Sequence, residues 1–211
     1  SAGLLELPRS SLVTSNATIS VVIPCFNSAT TIERALRSVE HQTIKPHEVL
    51  VVDDASSDNT VSIIEQYARA SLLNIRVIKQ SVNGGPSVAR NAAWNIATSE
   101  FIAFLDADDQ WHPKKLELQL NAMLANPSCA MSFHDHLFGS SEQFESLPFA
   151  PITSLTTLRN YLVRNRSATP TVMLRAAVTE RFTSTKRYAE DYLLWMTILA
   201  RHGNAMHIHS T

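Results

Sequence analysis

Four times between Ile19 and Leu124 the chain repeats one pattern: a short β-branched or apolar run, a turn rich in Gly, Pro, Asn, Asp or Ser, and a stretch whose apolar residues recur at helical spacing. Ile19-Ser20-Val21-Val22-Ile23 is halted by Pro24, and Asn27 to Thr30 then offer caps for a helix with Ile32, Ala35, Leu36 and Val39 on one face. Glu48 to Val52 reads as the second strand, Ser56 to Thr60 as turn and cap, and Val61 to Ala70 as the second helix. Ile75 to Ile78 is a third strand, Gly84-Gly85-Pro86 a turn with proline placed to open a helix, and Ser87 to Ala97 that helix. Phe101 to Leu105 is a fourth strand, followed by a helix opened by Pro113 with Leu116, Leu120, Met123 and Leu124 inward. Units of this size, whose strands are apolar on both faces, predict an α/β fold: a mostly parallel central sheet flanked by helices on both faces.

Beyond Pro127 the pattern loosens. Cys129 to Phe133 reads as a strand, Gly139 to Pro151 as a loop, Leu155 to Val163 as a helix and Thr171 to Leu174 as a short strand. Arg187 to Arg201 is a helix stopped by Gly203, and Met206 to Thr211 a final strand. The 211 residues, 45% of them apolar, suit one core rather than two. We divide the chain into a lead (1–18), a half built from the β–α units (19–127) and a less regular half (128–211) that breaks off at a strand, as in a fragment of a longer polypeptide.

Charge excludes some functions. Eighteen Lys and Arg balance nineteen Asp and Glu, so no whole-chain field attracts nucleic acid or anionic lipid. The apolar runs fall far short of the ~20 residues that span a bilayer, and no signal peptide is visible. Two cysteines, Cys25 and Cys129, are too few for a disulfide framework, which points to a reduced, cytoplasmic setting; neither has a nearby base that would make it a nucleophile.

In an open parallel sheet, ligands collect at the carboxyl ends of the strands, and there the unusual residues fall. The first strand ends in Pro24-Cys25-Phe26-Asn27, the second in Asp53-Asp54 and the fourth in Asp106-Ala107-Asp108-Asp109. Gathered acids repel unless a cation joins them. Asp106 and Asp108 can point the same way from extended backbone, and oxygen donors suit Mg²⁺ or Mn²⁺, which complete their shells with water and substrate phosphates. The plainer reading makes Asp109 a helix cap and its neighbours solvated acids. Gly84-Gly85-Pro86 and the helix it opens offer backbone N–H groups to a phosphate, with Arg90 one turn in; the alternative is an ordinary helix start with Arg90 in a surface ion pair. The glycines match neither a dinucleotide fingerprint nor a P-loop. Phe26 either stacks on a base or fills core. Tyr188, Asp191 and Trp195 share a helix face, so Asp191 is a candidate general base whose partial burial would raise its pKa, unless Glu190 and Asp191 simply favour the helix N-terminus. His134-Asp135-His136 and His207-Ile208-His209 have ligand-like spacing, yet alternate residues of a strand merely share a face, and a full ligand set is not evident.

Taken in order, Val21 to Asn27, Val51-Val52-Asp53-Asp54-Ala55-Ser56-Ser57-Asp58, Asn83-Gly84-Gly85-Pro86-Ser87-Val88-Ala89-Arg90-Asn91, Phe104-Leu105-Asp106-Ala107-Asp108-Asp109 and Glu190-Asp191 closely resemble family 2 glycosyltransferases. The resemblance implies the GT-A fold, a Rossmann-like nucleotide-binding sheet merged with an acceptor half. It implies inverting transfer of a sugar from a nucleotide diphosphate donor, a UDP-sugar, to a hydroxyl of a glycan or lipid-linked acceptor, as in building a surface polysaccharide. Carried over, Pro24, Phe26, Asn27, Gly85, Arg90, Asp106 and Ala107 line the donor pocket, and Asp53 or Asp54 meets the base. Asp106 and Asp108 hold Mn²⁺ or Mg²⁺, and Asp191 is the catalytic base beside Glu190. Location follows as cytoplasmic, with peripheral attachment to the inner membrane face. Many relatives carry a further metal-binding His after the strand that follows the Glu-Asp helix; this chain ends before that segment, and His207 and His209 are not assigned that role.

Overall fold

The computed structural model describes residues 5–6, 16–136, 152–163, 167–183 and 189–209. Its strands are β1 (Leu5–Glu6), β2 (Ile19–Cys25), β3 (Glu48–Asp53), β4 (Ile75–Lys79), β5 (Phe101–Phe104), β6 (Met131–His134), β7 (Ile152–Thr156), β8 (Met173–Arg175) and β9 (Ala205–His209). The helices are α1 (Ile32–Glu40), α2 (Thr60–Ala70), α3 (Pro86–Ile96), α4 (Lys115–Ala125), α5 (Leu158–Val163) and α6 (Glu190–His202), with a 3₁₀ turn at Thr169–Thr171. The strands form one sheet in the order β1-β7-β9-β6-β8-β5-β2-β3-β4.

Strands β2, β3, β4 and β5 are mutually parallel, as the β–α repeats predict. The other half of the sheet is mixed. Strand β8 inserts antiparallel between β5 and β6, β9 runs parallel to β6, and β7 runs antiparallel to β9. Because β8 reverses direction on both sides, β6 and β9 point the same way as β2, β3 and β5, and the carboxyl ends of all five share one edge.

Alternation along the strands builds two cores. Val22, Leu50, Val52, Ile102 and Phe104 face α3, α5 and α6, whereas Val21, Ile23, Val49, Val51 and Ala103 face α1, α2 and α4. Every residue of β2, β3 and β5 is buried, the signature of a sheet covered on both sides. On the first face Trp94, Phe104, Phe182 and Trp195 pack edge to face or tilted, with centroids 5.3–6.2 Å apart, tying α3 and β5 to α6.

The second half departs from expectation in detail. The predicted helix Leu155 to Val163 begins only at Leu158, because its first residues pair with β9 as part of β7, whose Ser154 and Leu155 stand opposite His207 and Met206. The predicted strand Thr171 to Leu174 starts at Met173, after the 3₁₀ turn. The predicted loop Gly139 to Pro151 and the helix residues Arg187 and Tyr188 lie outside the described residues, as do Ser210 and Thr211.

Candidate active site at the carboxyl edge of the sheet

The chain runs outward from β2 through β3 to β4, then returns to the other side of β2 as β5, so the strand order switches between β2 and β5. A crevice forms at such a switch point. Here it is a cleft of about 580 Å³ whose walls include Pro24, Phe26 and Asn27 after β2, Asp54 after β3, Gly85 and Arg90 at the start of α3, and Asp106, Ala107 and Asp108 after β5. Residues scattered over more than eighty positions of sequence thus meet in one place. Asp53 and Asp191 are not among its walls.

Each wall is held by a specific contact. Asp54 is buried, and its two carboxylate oxygens accept the backbone N–H groups of Gly84 (2.8 Å) and Gly85 (2.7 Å), pinning the loop that opens α3. Gly85 has φ 85° and ψ 167°, a region open essentially only to glycine. A Cβ on Gly84 would come within 2.9 Å of Val88. Asp53 is equally buried but serves its own turn, accepting the Ser56 N–H at 3.2 Å. Asn27, at φ 48°, joins the loops after β2 and β3: its amide donates to Ser56 Oγ (2.8 Å) and its side-chain carbonyl accepts from the Ser57 N–H (2.9 Å). Phe26 is 49% exposed, which rules out the core-filling alternative and leaves its ring free to meet a ligand.

Arg90 is buried rather than on the surface. One guanidinium nitrogen donates to Asp106 Oδ1 at 2.6 Å, and the group sits 5.3 Å from the Phe182 ring centroid. Asp108 is exposed to the cleft, and its backbone carbonyl accepts from Arg34. Partial burial, and then the charges of Asp106 and Asp108, raise the pKa of the Asp109 carboxyl from its ordinary value. Such crowding is what an added divalent cation relieves, and a donor set of carboxylate oxygens open to the cleft fits Mg²⁺ or Mn²⁺. Cys25 also borders the cleft, but burial and then the neighbouring acids Asp53, Asp58 and Asp54 push its thiol pKa up to about 12, so it is no nucleophile at neutral pH.

Asp191 lies one residue into α6 and is half-buried; its Oδ2 accepts from Thr169 Oγ1 at 3.2 Å and its Oδ1 from the Tyr192 N–H at 2.7 Å. Ala189 just before α6 adopts φ 57°, a left-handed conformation that costs a non-glycine residue about 1–2 kcal/mol. Among the described residues, the non-glycine positions with positive φ, Asn27, Ala55 and Ala189, all flank this edge, where strain is tolerated for placement. The turn that holds Asp191 is itself fastened to the acidic loop: Trp111 Nε1 donates to the Pro170 carbonyl at 2.8 Å. Thr169, Trp111, Phe182 and Arg34 were not legible as site residues, because each acts through a partner distant in sequence. Farther along the edge, Asp135 meets His207 and His209, a grouping that strand spacing alone did not reveal.

The profile of Glycosyl transferase family 2 matches residues 20–182. The chain is 32% identical over 182 residues to the UDP-Glc:alpha-D-GlcNAc-diphosphoundecaprenol beta-1,3-glucosyltransferase WfgD of Escherichia coli, covering 86% of this chain and 69% of that one. It is 41% identical over 115 residues to the putative teichuronic acid biosynthesis glycosyltransferase TuaG of Bacillus subtilis, covering 54% and 45%. The fold superposes on S. aureus TarS in complex with UDP at a TM-score of 0.73 with 26% identity, over 92% of this chain and 60% of that one. The chain thus spans under half of TuaG and three fifths of that TarS chain. With the family profile, the parallel nucleotide-type half and the cleft at its switch point in agreement, this chain belongs to glycosyl transferase family 2 and has the GT-A fold.

Proposed function

We propose that this chain is the catalytic domain of an inverting glycosyltransferase that moves a sugar from a UDP-sugar to a hydroxyl of a glycan or lipid-linked acceptor in surface-polysaccharide assembly. The observation that carries the reading is the convergence, in one cleft, of a glycine loop whose Gly84 and Gly85 N–H groups are held by Asp54, the Arg90–Asp106 pair and the exposed Asp108, with the half-buried carboxylate of Asp191 tied toward the acidic loop through the turn Thr169–Thr171 and Trp111. Residues 19–127 supply the donor half and 128–211 the acceptor side.

The roles follow from the contacts. Phe26 presents a ring face to the base, and Asp54 rather than Asp53 stands at the cleft wall where a base would be read. Asn27, Pro24 and Ala107 shape the walls, and Gly85 offers backbone without a side chain in the way. Arg90 orients Asp106 toward the donor. Asp108, with Asp106, would hold Mn²⁺ or Mg²⁺, which neutralises charge on a departing diphosphate. Asp191 takes the proton from the acceptor hydroxyl as that oxygen bonds to the anomeric carbon and the carbon–phosphate oxygen bond breaks; one base and one displacement invert the centre. Support for the donor class comes from the UDP bound by TarS and the UDP-glucose named for WfgD. No described helix is long and apolar enough to cross a membrane, and we place the enzyme at the cytoplasmic face, attached peripherally.

A transfer assay with a panel of nucleotide sugars and Mn²⁺, followed by product stereochemistry, tests the proposal. Transfer lost in Asp191→Asn, with UDP binding retained, supports it. Unchanged transfer in that variant removes the proposed base, and UDP binding without single-turnover transfer identifies a sugar-nucleotide-binding module instead.

A further inference from the structure

Strand β9 ends in His207-Ile208-His209, whose two imidazoles project from one face. Parallel to it, β6 pairs His134 with Ile208 and exits through Asp135, whose N–H donates to the Ile208 carbonyl at 3.3 Å. The three side chains therefore converge. His207 Nε2 lies 2.7 Å from Asp135 Oδ1, His209 Nδ1 lies 3.9 Å from Asp135 Oδ2, and one donor atom from each residue falls within 4.8 Å of the others. Both rings are braced from behind: His207 is buried and stacks on Phe133 at 4.5 Å with 19° between the planes, and His209 Nε2 is hydrogen-bonded to Ser154 Oγ of β7 at 2.8 Å.

We propose that Asp135, His207 and His209 form a binding site for a divalent transition metal of the Zn²⁺ class, separate from the cation of the donor cleft. Two imidazoles and one carboxylate are a donor set that Zn²⁺ favours over Mg²⁺ or Mn²⁺, and three protein ligands leave one position open. Ligands about 2.1 Å from a tetrahedral Zn²⁺ stand about 3.4 Å apart. The contacts of 2.7 and 3.9 Å bracket that value, so shifts of under about an ångström complete the site. With Nε2 engaged by Ser154, His209 keeps Nδ1 aimed at the carboxylate, the outer-shell contact that fixes an imidazole for metal binding. The side chains of Asp135 and His209 are 31% and 25% exposed, so an ion can reach both from solvent. Along the sheet edge β6 is two strands from β5, about 10 Å at ~4.8 Å per strand, and neither Asp106 nor Asp108 belongs to the group.

Protein stripped with chelator and passed through a desalting column, then titrated with Zn²⁺ by calorimetry and with Co²⁺ by visible absorption, tests the proposal. One equivalent of Zn²⁺ and the intense colour of low-coordinate Co²⁺ are expected. His207 is buried and its replacement can unfold β9, so the part-exposed ligands carry the test: Asp135→Asn and His209→Gln each weaken Zn²⁺ binding by more than about tenfold, and Ser154→Ala by about tenfold or more, with circular dichroism unchanged. Asp108→Asn leaves Zn²⁺ binding as it was. Absence of stoichiometric binding in the parent, retention of it in the Asp135→Asn/His209→Gln double variant, or its loss in Asp108→Asn overturns the site; the last result would locate Zn²⁺ in the donor cleft and leave the transferase reading standing.

Discussion

Replacing Asp54 by Asn changes almost no volume, yet it should loosen the loop that opens α3. The carboxylate accepts two backbone N–H groups, from Gly84 and Gly85, at 2.8 and 2.7 Å in a buried setting. An amide has one acceptor oxygen, so whichever way it turns its NH₂ faces one of those donors. Turning one charge-assisted bond of about 1.5–3 kcal/mol into a neutral one of about 1 kcal/mol loses about 0.5–2 kcal/mol, and abandoning the other buried donor costs about 1–3 kcal/mol. The sum is a destabilisation of about 1.5–5 kcal/mol. Asp53→Asn is the control, because Asp53 accepts one backbone N–H, from Ser56 at 3.2 Å, and beside it only a weak 4.0 Å contact from the Cys25 thiol. For a chain of this size each kcal/mol lowers Tm by roughly 2–4 °C, so Asp54→Asn should melt roughly 3–20 °C lower and Asp53→Asn distinctly less. Differential scanning calorimetry reads this directly, and UDP titration should show weaker binding for Asp54→Asn as the loop loses its shape. Equal melting of the two variants would refute the account of Asp54 as the clamp.

Gly85→Ala forces a Cβ into a glycine-only conformation and should cost about 1–3 kcal/mol by denaturant unfolding, although the space around it is open. Asp191→Asn should lower turnover by about 10²–10⁴-fold while UDP affinity stays near that of the parent. Glu48 is buried; against the upward pull of burial, hydrogen bonds from the Thr98 N–H, the Ser20 and Thr98 hydroxyls and the charge of Arg76 hold its carboxyl below the ordinary value of 4.5. A depressed acid stabilises the fold above its unfolded pKa and loses that contribution as pH falls through the folded one. Melting temperature should therefore fall below pH 4.5, and Glu48→Gln should flatten that limb. Cys25 and Cys129, both buried with raised thiol pKa values, should resist alkylation at pH near 8 until denaturant is added, followed by mass spectrometry.

The first half of this molecule was readable because its rules are local and repeated. Val21 and Ile23 against Val22, or Val49 and Val51 against Leu50 and Val52, announce strands buried on both faces, and the glycines and prolines between them mark where each unit turns. Site residues at strand ends inherit that legibility, which is why Pro24, Asn27, Asp54, Asp106 and Asp108 could be placed along one edge before any coordinates. The second half obeys non-local rules. Residues 152–156 are a strand because β9 offers them a partner fifty residues later, not through their own spacing. For Arg90 the sequence leaves a surface ion pair open as the alternative, which its enclosure by Phe182 and Asp106 removes, and the meeting of Asp135 with His207 and His209 depends on β6 and β9 being neighbours. Pairings across such separations leave no periodic trace in one sequence.

The short turn Thr169–Thr171 grips Asp191 through one residue and the loop of Asp108 through the next, by way of Trp111. On the roles proposed above, the gap between the acceptor's proton and the donor's phosphates would be set by this short hydrogen-bonded link instead of a long, adaptable segment. Substitutions in peripheral loops away from that link would, on the same roles, leave the yardstick for the bond being made at the same length.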